Sequence, residues 1–104
     1  MYLARGTGPW YRSWDGLPSR VLIANWLHNN ADNLKFFAER GHTQILAGYY
    51  DADPKRIVSW LQTAAPVRGV CGVMYTTWVN DYSQLEAFLQ QAQEFEARQA
   101  GRGR

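Results

Sequence analysis

One pattern occurs three times along this chain, at a pitch of about two dozen residues. An apolar run closes on an aromatic side chain, meets Asn or Asp, and gives way to a stretch of helical period. Residues 21–26 end on Trp26 and lead to Asn29 and Asn30. Residues 45–50 end on Tyr49 and Tyr50 and lead to Asp51 and Asp53. Residues 70–76 run on to Trp78 and lead to Asn80 and Asp81. A strand that delivers aromatic and polar groups into the loop before a helix is the unit of a parallel α/β fold. In such folds ligands gather where the strands end.

Local signals set the elements. The run 21–26 is almost continuously apolar, as suits a strand covered on both faces. Asn29 or Asn30 can cap the helix that follows, where Leu34, Phe37 and Ala38 share a face. Gly41 stands where a left-handed residue closes a helix, which predicts its end at about Arg40. After the strand at 45–50, Asp53 and Pro54 form a helix start with Asp at the cap and Pro in the first turn. Ile57, Trp60 or Leu61, and Ala64 make its buried stripe, and Pro66 stops it. After the strand at 70–76, Ser83 and Glu86 have the spacing of a capping box. Leu85, Phe88, Leu89, Ala92 and Phe95 continue at intervals of three and four, which predicts order to about Arg98.

Each link between strands holds one helix, so neighbouring strands are expected to be parallel with right-handed crossings. The predicted fold is α/β, with three parallel βα units forming part of a (β/α)8 barrel. At 104 residues the chain falls well short of the ~250 such a barrel needs. Residues 1–20, rich in Gly, Pro and aromatics, are expected to be a loop-rich segment, with a short strand possible at 2–4 and Trp10, Tyr11 and Trp14 near a pocket or an open end. Residues 21–98 hold the three units, and 99–104 a frayed Arg-Gly tail. Helices on one side leave the opposite sheet face uncovered and two raw strand edges, so the chain is expected either to associate with copies of itself or to join the remainder of a larger barrel. Gly48, Gly69 and Gly72 favour a curved, closely packed sheet.

Composition excludes several classes. Net charge is +2, and Arg98, Arg102 and Arg104 in the tail more than account for it. The slightly acidic body lacks the basic surface that non-specific nucleic-acid binding needs, so no nucleic-acid partner is expected. No run approaches the ~20 apolar residues of a membrane helix, and the first residues lack the apolar core of a secretory signal. Cys71 is the only cysteine, and its place within an apolar run predicts a buried thiol. The two histidines, His28 and His42, have no metal-ligand spacing and no Cys partner, so no metal or other cofactor is expected. His28 lies past a strand end, where it can contact a ligand or stabilise the loop. His42 lies at the far end, where barrels keep stability rather than chemistry.

Trp26 at one strand end, Tyr49-Tyr50-Asp51 at the next and Trp78-Val79-Asn80 at the last resemble the final three strands of family 20 glycoside hydrolases, the β-N-acetylhexosaminidase type of barrel. That family carries a late Trp, then Tyr-x-Asp, then Trp-x-Glu. Residues 72–78 (Gly-Val-Met-Tyr-Thr-Thr-Trp) with Asp81 and Tyr82 also resemble a signature shared by a set of bacterial proteins. The similarity covers roughly residues 20–92. It implies that Trp26 and Trp78 wall a sugar ring, that the Tyr49 hydroxyl faces an acetamido group, and that Asp51 accepts hydrogen bonds from sugar hydroxyls. Asn80 replaces the family's Glu and lacks its charge, and Asp81 is the adjacent carboxylate able to substitute. The family's catalytic Asp-Glu pair has no counterpart, because no Asp is followed by Glu anywhere in the chain.

The residues on their own rank the possibilities in the same way. Sugar sites combine aromatic platforms with planar polar groups. Glycoside hydrolysis further needs two carboxyl groups, ~5–5.5 Å apart for retention or ~6.5–9.5 Å for inversion. Asp51 and Asp81 are the acids placed just past neighbouring strands, and three roles stay open for them: catalysis, ligand contact or loop structure. The resulting expectation is the C-terminal part of a glycoside-hydrolase-like barrel that binds an amino-sugar carbohydrate through Trp26, His28, Tyr49, Asp51, Trp78, Asn80 and Asp81 and is inactive by itself. The alternative is a non-enzymatic α/β module that self-associates.

Overall fold

The computed structural model describes residues 14–26, 31–51 and 53–102. His28, Asn29, Asn30, Trp10, Tyr11 and the short strand expected at 2–4 lie outside these. The described elements alternate strictly: β1 (Ile23–Trp26), α1 (Ala31–Glu39), β2 (Gln44–Tyr49), α2 (Arg56–Ala64), β3 (Val70–Thr76) and α3 (Leu85–Arg102). The three strands form one parallel sheet in the order β1-β2-β3. The chain is therefore an α/β protein built from three successive βα units, as the repeat predicts.

All three helices lie on one face of the sheet, because each contributes to one core cluster. Leu34 of α1, Ile57, Trp60 and Ala64 of α2, and Phe88 of α3 pack with Leu46 and Tyr50. Val73 and Tyr75 of β3 border the same cluster. Strand side chains alternate between faces. The register Trp26↔Ala47↔Met74 and Tyr49↔Thr76 puts Trp26, Ile45, Ala47, Tyr49, Met74 and Thr76 on the other face. No described element packs over that face.

Both predicted stops hold. Helix α1 ends in a Schellman motif: Gly41 N–H donates to Ala38 O at 3.0 Å and His42 N–H to Phe37 O at 3.0 Å. Gly41 has φ 82°, the left-handed conformation this motif needs. Helix α2 stops at Ala64, before Pro66. Its regular ladder begins at Arg56, slightly later than expected, because Asp53 organises a tight turn first. The Asp53 carboxylate accepts Lys55 N–H at 3.0 Å, and its carbonyl accepts Arg56 N–H at 3.3 Å.

Four expectations need correction. Strand β1 starts at Ile23, not at 21, because Val21 N–H turns back to Pro18 O at 3.0 Å. Val21 and Leu22 are consequently exposed, and β1 is covered on one face only: Asn25 is buried while Ala24 is exposed. Cys71 is exposed, not buried. It sits where the β2–β3 register slips, between the pairs Gln44↔Val70 and Ile45↔Gly72, and a bulged residue leaves the ladder. Helix α3 runs through Arg102, four residues beyond the end expected near Arg98. Arg, Gln and Ala at 98–100 are good helix formers, and Gly101 costs ~1 kcal/mol without breaking the helix. The capping box at Ser83 and Glu86 is replaced by an Asx turn, in which Asp81 Oδ1 accepts Ser83 N–H at 2.9 Å.

A buried polar chain joins sheet to helix, unannounced by apolar periodicity. Gln44 has no exposed surface. Its Nε2 donates to Leu34 O at 2.8 Å, and its Oε1 accepts Asn25 Nδ2–H at 2.9 Å. Nearby, the buried His42 ring meets Val21 O through Nδ1 at 2.7 Å. These bonds satisfy groups that would otherwise be costly to bury. Trp60 does likewise, donating from Nε1 to Ala47 O at 3.0 Å. Trp14, the described member of the N-terminal aromatics, packs edge-on against Phe36 of α1, with ring centroids 5.7 Å apart.

Candidate functional site at the strand C-termini

Parallel pairing delivers the three strand ends to one rim. Trp26 closes β1, Asp51 follows β2 and Trp78 follows β3. The β1 and β3 strands are separated by β2, roughly 10 Å from one to the other. The Trp26 and Trp78 indoles nevertheless approach to 5.9 Å between centroids, tilted by 59°. They therefore lean toward each other across the end of β2. Trp78 remains 72% exposed, so most of its surface is open to a ligand.

Asp51 holds this arrangement from below. Its Oδ2 accepts the Trp78 backbone N–H at 2.8 Å. Its Oδ1 is buried and has no hydrogen-bond partner among the described residues. Burying an unsatisfied carboxylate oxygen is unfavourable.

The loop beyond β3 is organised by its own side chains. Thr77 Oγ1 accepts Asp81 N–H at 3.1 Å and Val79 N–H at 3.4 Å. Asn80 between them has φ 55°, a left-handed conformation that Asn tolerates better than most residues. The Thr76 hydroxyl donates to Gly48 O, tying the end of β3 to β2. Tyr75 OH donates to Asp81 O at 3.4 Å. Burial, then the charges of Asp51 and Asp81, raise the Tyr75 phenol above its usual pKa and keep it a neutral donor.

The expected site residues thus divide. Trp26, Asp51 and Trp78 come together. Tyr49 lies on the sheet face opposite the helices, paired across the sheet with Thr76. Asn80 and Asp81 share the Trp78 loop and are exposed. The Asp81 carboxylate binds the Ser83 hydroxyl and amide, which hold its pKa below the usual carboxylate range. Through these bonds the Asp81 carboxylate braces its own loop. His28 lies outside the described residues. Thr77, not expected among the site residues, is the loop's organiser; its sign in the sequence is a hydroxyl two residues ahead of Val79 in an Asn/Asp-rich turn.

Among the described residues, no three His, Cys, Asp or Glu side chains gather as a metal site requires, and no helix is long and apolar enough to cross a membrane. The chain matches no protein-family model, and no curated protein or solved structure matches it.

Proposed function

We propose that this rim binds a carbohydrate of the amino-sugar class, with Trp26 and Trp78 as walls and Asp51 as the central hydrogen-bond acceptor. The observation that carries the reading is the Trp26–Trp78 pair, 5.9 Å apart, with the Asp51 carboxylate 2.8 Å from the Trp78 amide through Oδ2 and its Oδ1 unpartnered. Pyranose rings present one apolar C–H face and a girdle of hydroxyl donors. An indole matches the first and a carboxylate oxygen the second. Tyr49, and Asn80 on the loop, supply further polar contacts at the periphery.

In this reading the three βα units are one wall of a (β/α)8-type barrel. The open sheet face is the side that would face the barrel interior, and the rim is the functional end. Glycoside hydrolysis needs a proton donor opposite a second carboxylate. Asp81, the other carboxylate on this rim, is held in its loop by Ser83, and no Asp-Glu pair accompanies Asp51. The chain by itself is therefore a binding module, and hydrolytic activity would require strands that bring an acid pair.

Titration of N-acetylglucosamine and its β-1,4-linked dimer, followed by calorimetry and tryptophan fluorescence, tests the proposal. Weak binding, with Kd in the ~mM range, is expected for two stacking walls and few hydrogen bonds. Loss of that binding in Trp78→Ala is part of the expectation. Wild-type and Trp78→Ala chains that give the same null response would remove the glycan reading. Robust turnover of a chromogenic N-acetylhexosaminide that is abolished by Asp51→Asn would contradict the inactive-module reading.

A further inference from the structure

Strand β3 is the longest of the three, at 7 residues, and among the described residues it pairs only with β2. Its outer edge therefore presents backbone N–H and C=O groups in the pattern of an unfinished ladder. Its side chains share that exposure. None of Val70–Thr76 is fully buried, whereas four of the six residues of β2 are. Met74 is 41% exposed. Natural edge strands are guarded by charge, proline, shortness or bulges. Val70–Thr76 has no charged residue and no proline, and its single irregularity lies at Cys71. From Gly72 to Thr76 the ladder is regular and unguarded.

Charge lies only at the flanks, and it is asymmetric. Exposed Arg68 precedes the strand and exposed Asp81 follows it. Parallel pairing with a copy would set Arg68 against Arg68 and Asp81 against Asp81. Antiparallel pairing sets each Arg68 toward the other copy's Asp81, twice by symmetry.

We propose that the β3 edge pairs antiparallel with the β3 edge of a second copy, about a two-fold axis near Val73 and Met74. The product is a six-stranded sheet in the order β1-β2-β3-β3-β2-β1. A two-fold edge contact uses the same surface on both copies and closes on itself, so it ends at a dimer. It also brings the two Met74 side chains alongside each other on the continuous open face, removing apolar surface from water. An edge contact buries less than a standard interface, so the dimer is expected in the micromolar range or weaker. The proposal concerns the chain on its own, since pairing with a copy occupies the β3 edge that the next strand of a barrel would take; its readout is mass, so it stands or falls apart from ligand binding at the rim.

Sedimentation of the whole chain from roughly 1 to 300 µM, which brackets the affinity expected of small interfaces, is the test. A monomer–dimer equilibrium is expected. Arg68→Glu and Asp81→Lys should each weaken it on the order of tenfold, and more salt should weaken the wild type. The double variant Arg68→Glu/Asp81→Lys should recover most of the loss. Met74→Lys, which places a guarding charge beside the edge, should give monomer with an unchanged far-ultraviolet spectrum, and it serves as the deciding variant if Asp81→Lys fails to fold. A monomer throughout the range overturns the proposal. So does growth beyond a dimer, a dimer indifferent to Met74→Lys, or a folded double variant as weak as the singles.

Discussion

Replacing Asp51 with Ala separates what this residue does for the fold from what it does for the rim. Two energies oppose each other. The bond from Trp78 N–H to Oδ2, at 2.8 Å, is charge-assisted. Such bonds contribute about 1.5–3 kcal/mol when well buried, and solvent screening at this half-exposed site reduces that to about 1 kcal/mol. Against it stands the buried, unpartnered Oδ1, whose desolvation costs ~1–3 kcal/mol and vanishes with the side chain. The difference leaves Asp51→Ala between unchanged and ~2 kcal/mol more stable than the wild type. At an m-value of ~1 kcal/mol/M, the urea midpoint should stay or rise by up to ~2 M. The rim should respond differently. Without its acceptor the Trp78 amide is released, and the 5.9 Å contact with Trp26 should loosen. That contact is read as exciton coupling between the two indoles in circular dichroism, and Trp26→Phe is the reference for its absence. Asp51→Asn keeps an oxygen for the Trp78 amide but loses the charge, so it should retain the coupling and lose ligand affinity. A loss above ~3 kcal/mol in Asp51→Ala would show that the carboxylate is structural. An unchanged indole coupling in Asp51→Ala would refute the clamp.

Gln44→Leu leaves Leu34 O and Asn25 Nδ2 without their partner in the core and should cost ~2–4 kcal/mol by urea denaturation. Adding Asn25→Leu should cost less than the sum of the two single changes, because one orphan disappears. Trp60→Phe removes the donor to Ala47 O and part of a fully buried ring, for an expected loss of ~1–3 kcal/mol in the same assay. Gly41→Ala meets no clash, with Ser19 Cβ 3.6 Å from the added carbon, but forces Ala to φ 82°; ~1–2 kcal/mol of destabilisation is expected in thermal or urea melts. Asp81 titrates below its usual range in the folded chain because Ser83 holds the ionised form. Its contribution is thus fully present above the unfolded-state pKa of ~3.9 and lost as pH falls through the lower folded value. The stability gap between wild type and Asp81→Asn, measured as urea midpoints across acid pH, should shrink in that window.

Local rules carried the topology. The βα repeat, the left-handed Gly41 and the stop before Pro66 depend on the chain's neighbours along the backbone, and β3 is found over the residues its apolar run marks, Val70–Thr76. The positions of Trp26, Asp51 and Trp78 at one rim follow from the same reasoning, since parallel strands share the direction in which they end. What each side chain touches there does not. That Trp26 meets Trp78 across β2, that Asp51 gives one oxygen to an amide and buries the other without a partner, and that Asp81 turns to Ser83 are outcomes of register and loop path.

The same division holds for single residues. Gln44 lies just before the apolar run 45–50, and pairing with Ile23 puts its side chain under α1, where a donor and an acceptor await it. Cys71 looks buried in its apolar run, but the bulge and the edge position expose it. Sequence by itself determined the order and direction of the elements and the ends marked by Gly41 and Pro66, because φ restrictions, caps and apolar period act over a few residues. Tertiary structure decided burial, edges and hydrogen-bond partners, because these depend on which residue lies across the sheet, and a shift of one residue in register turns a side chain to the opposite face.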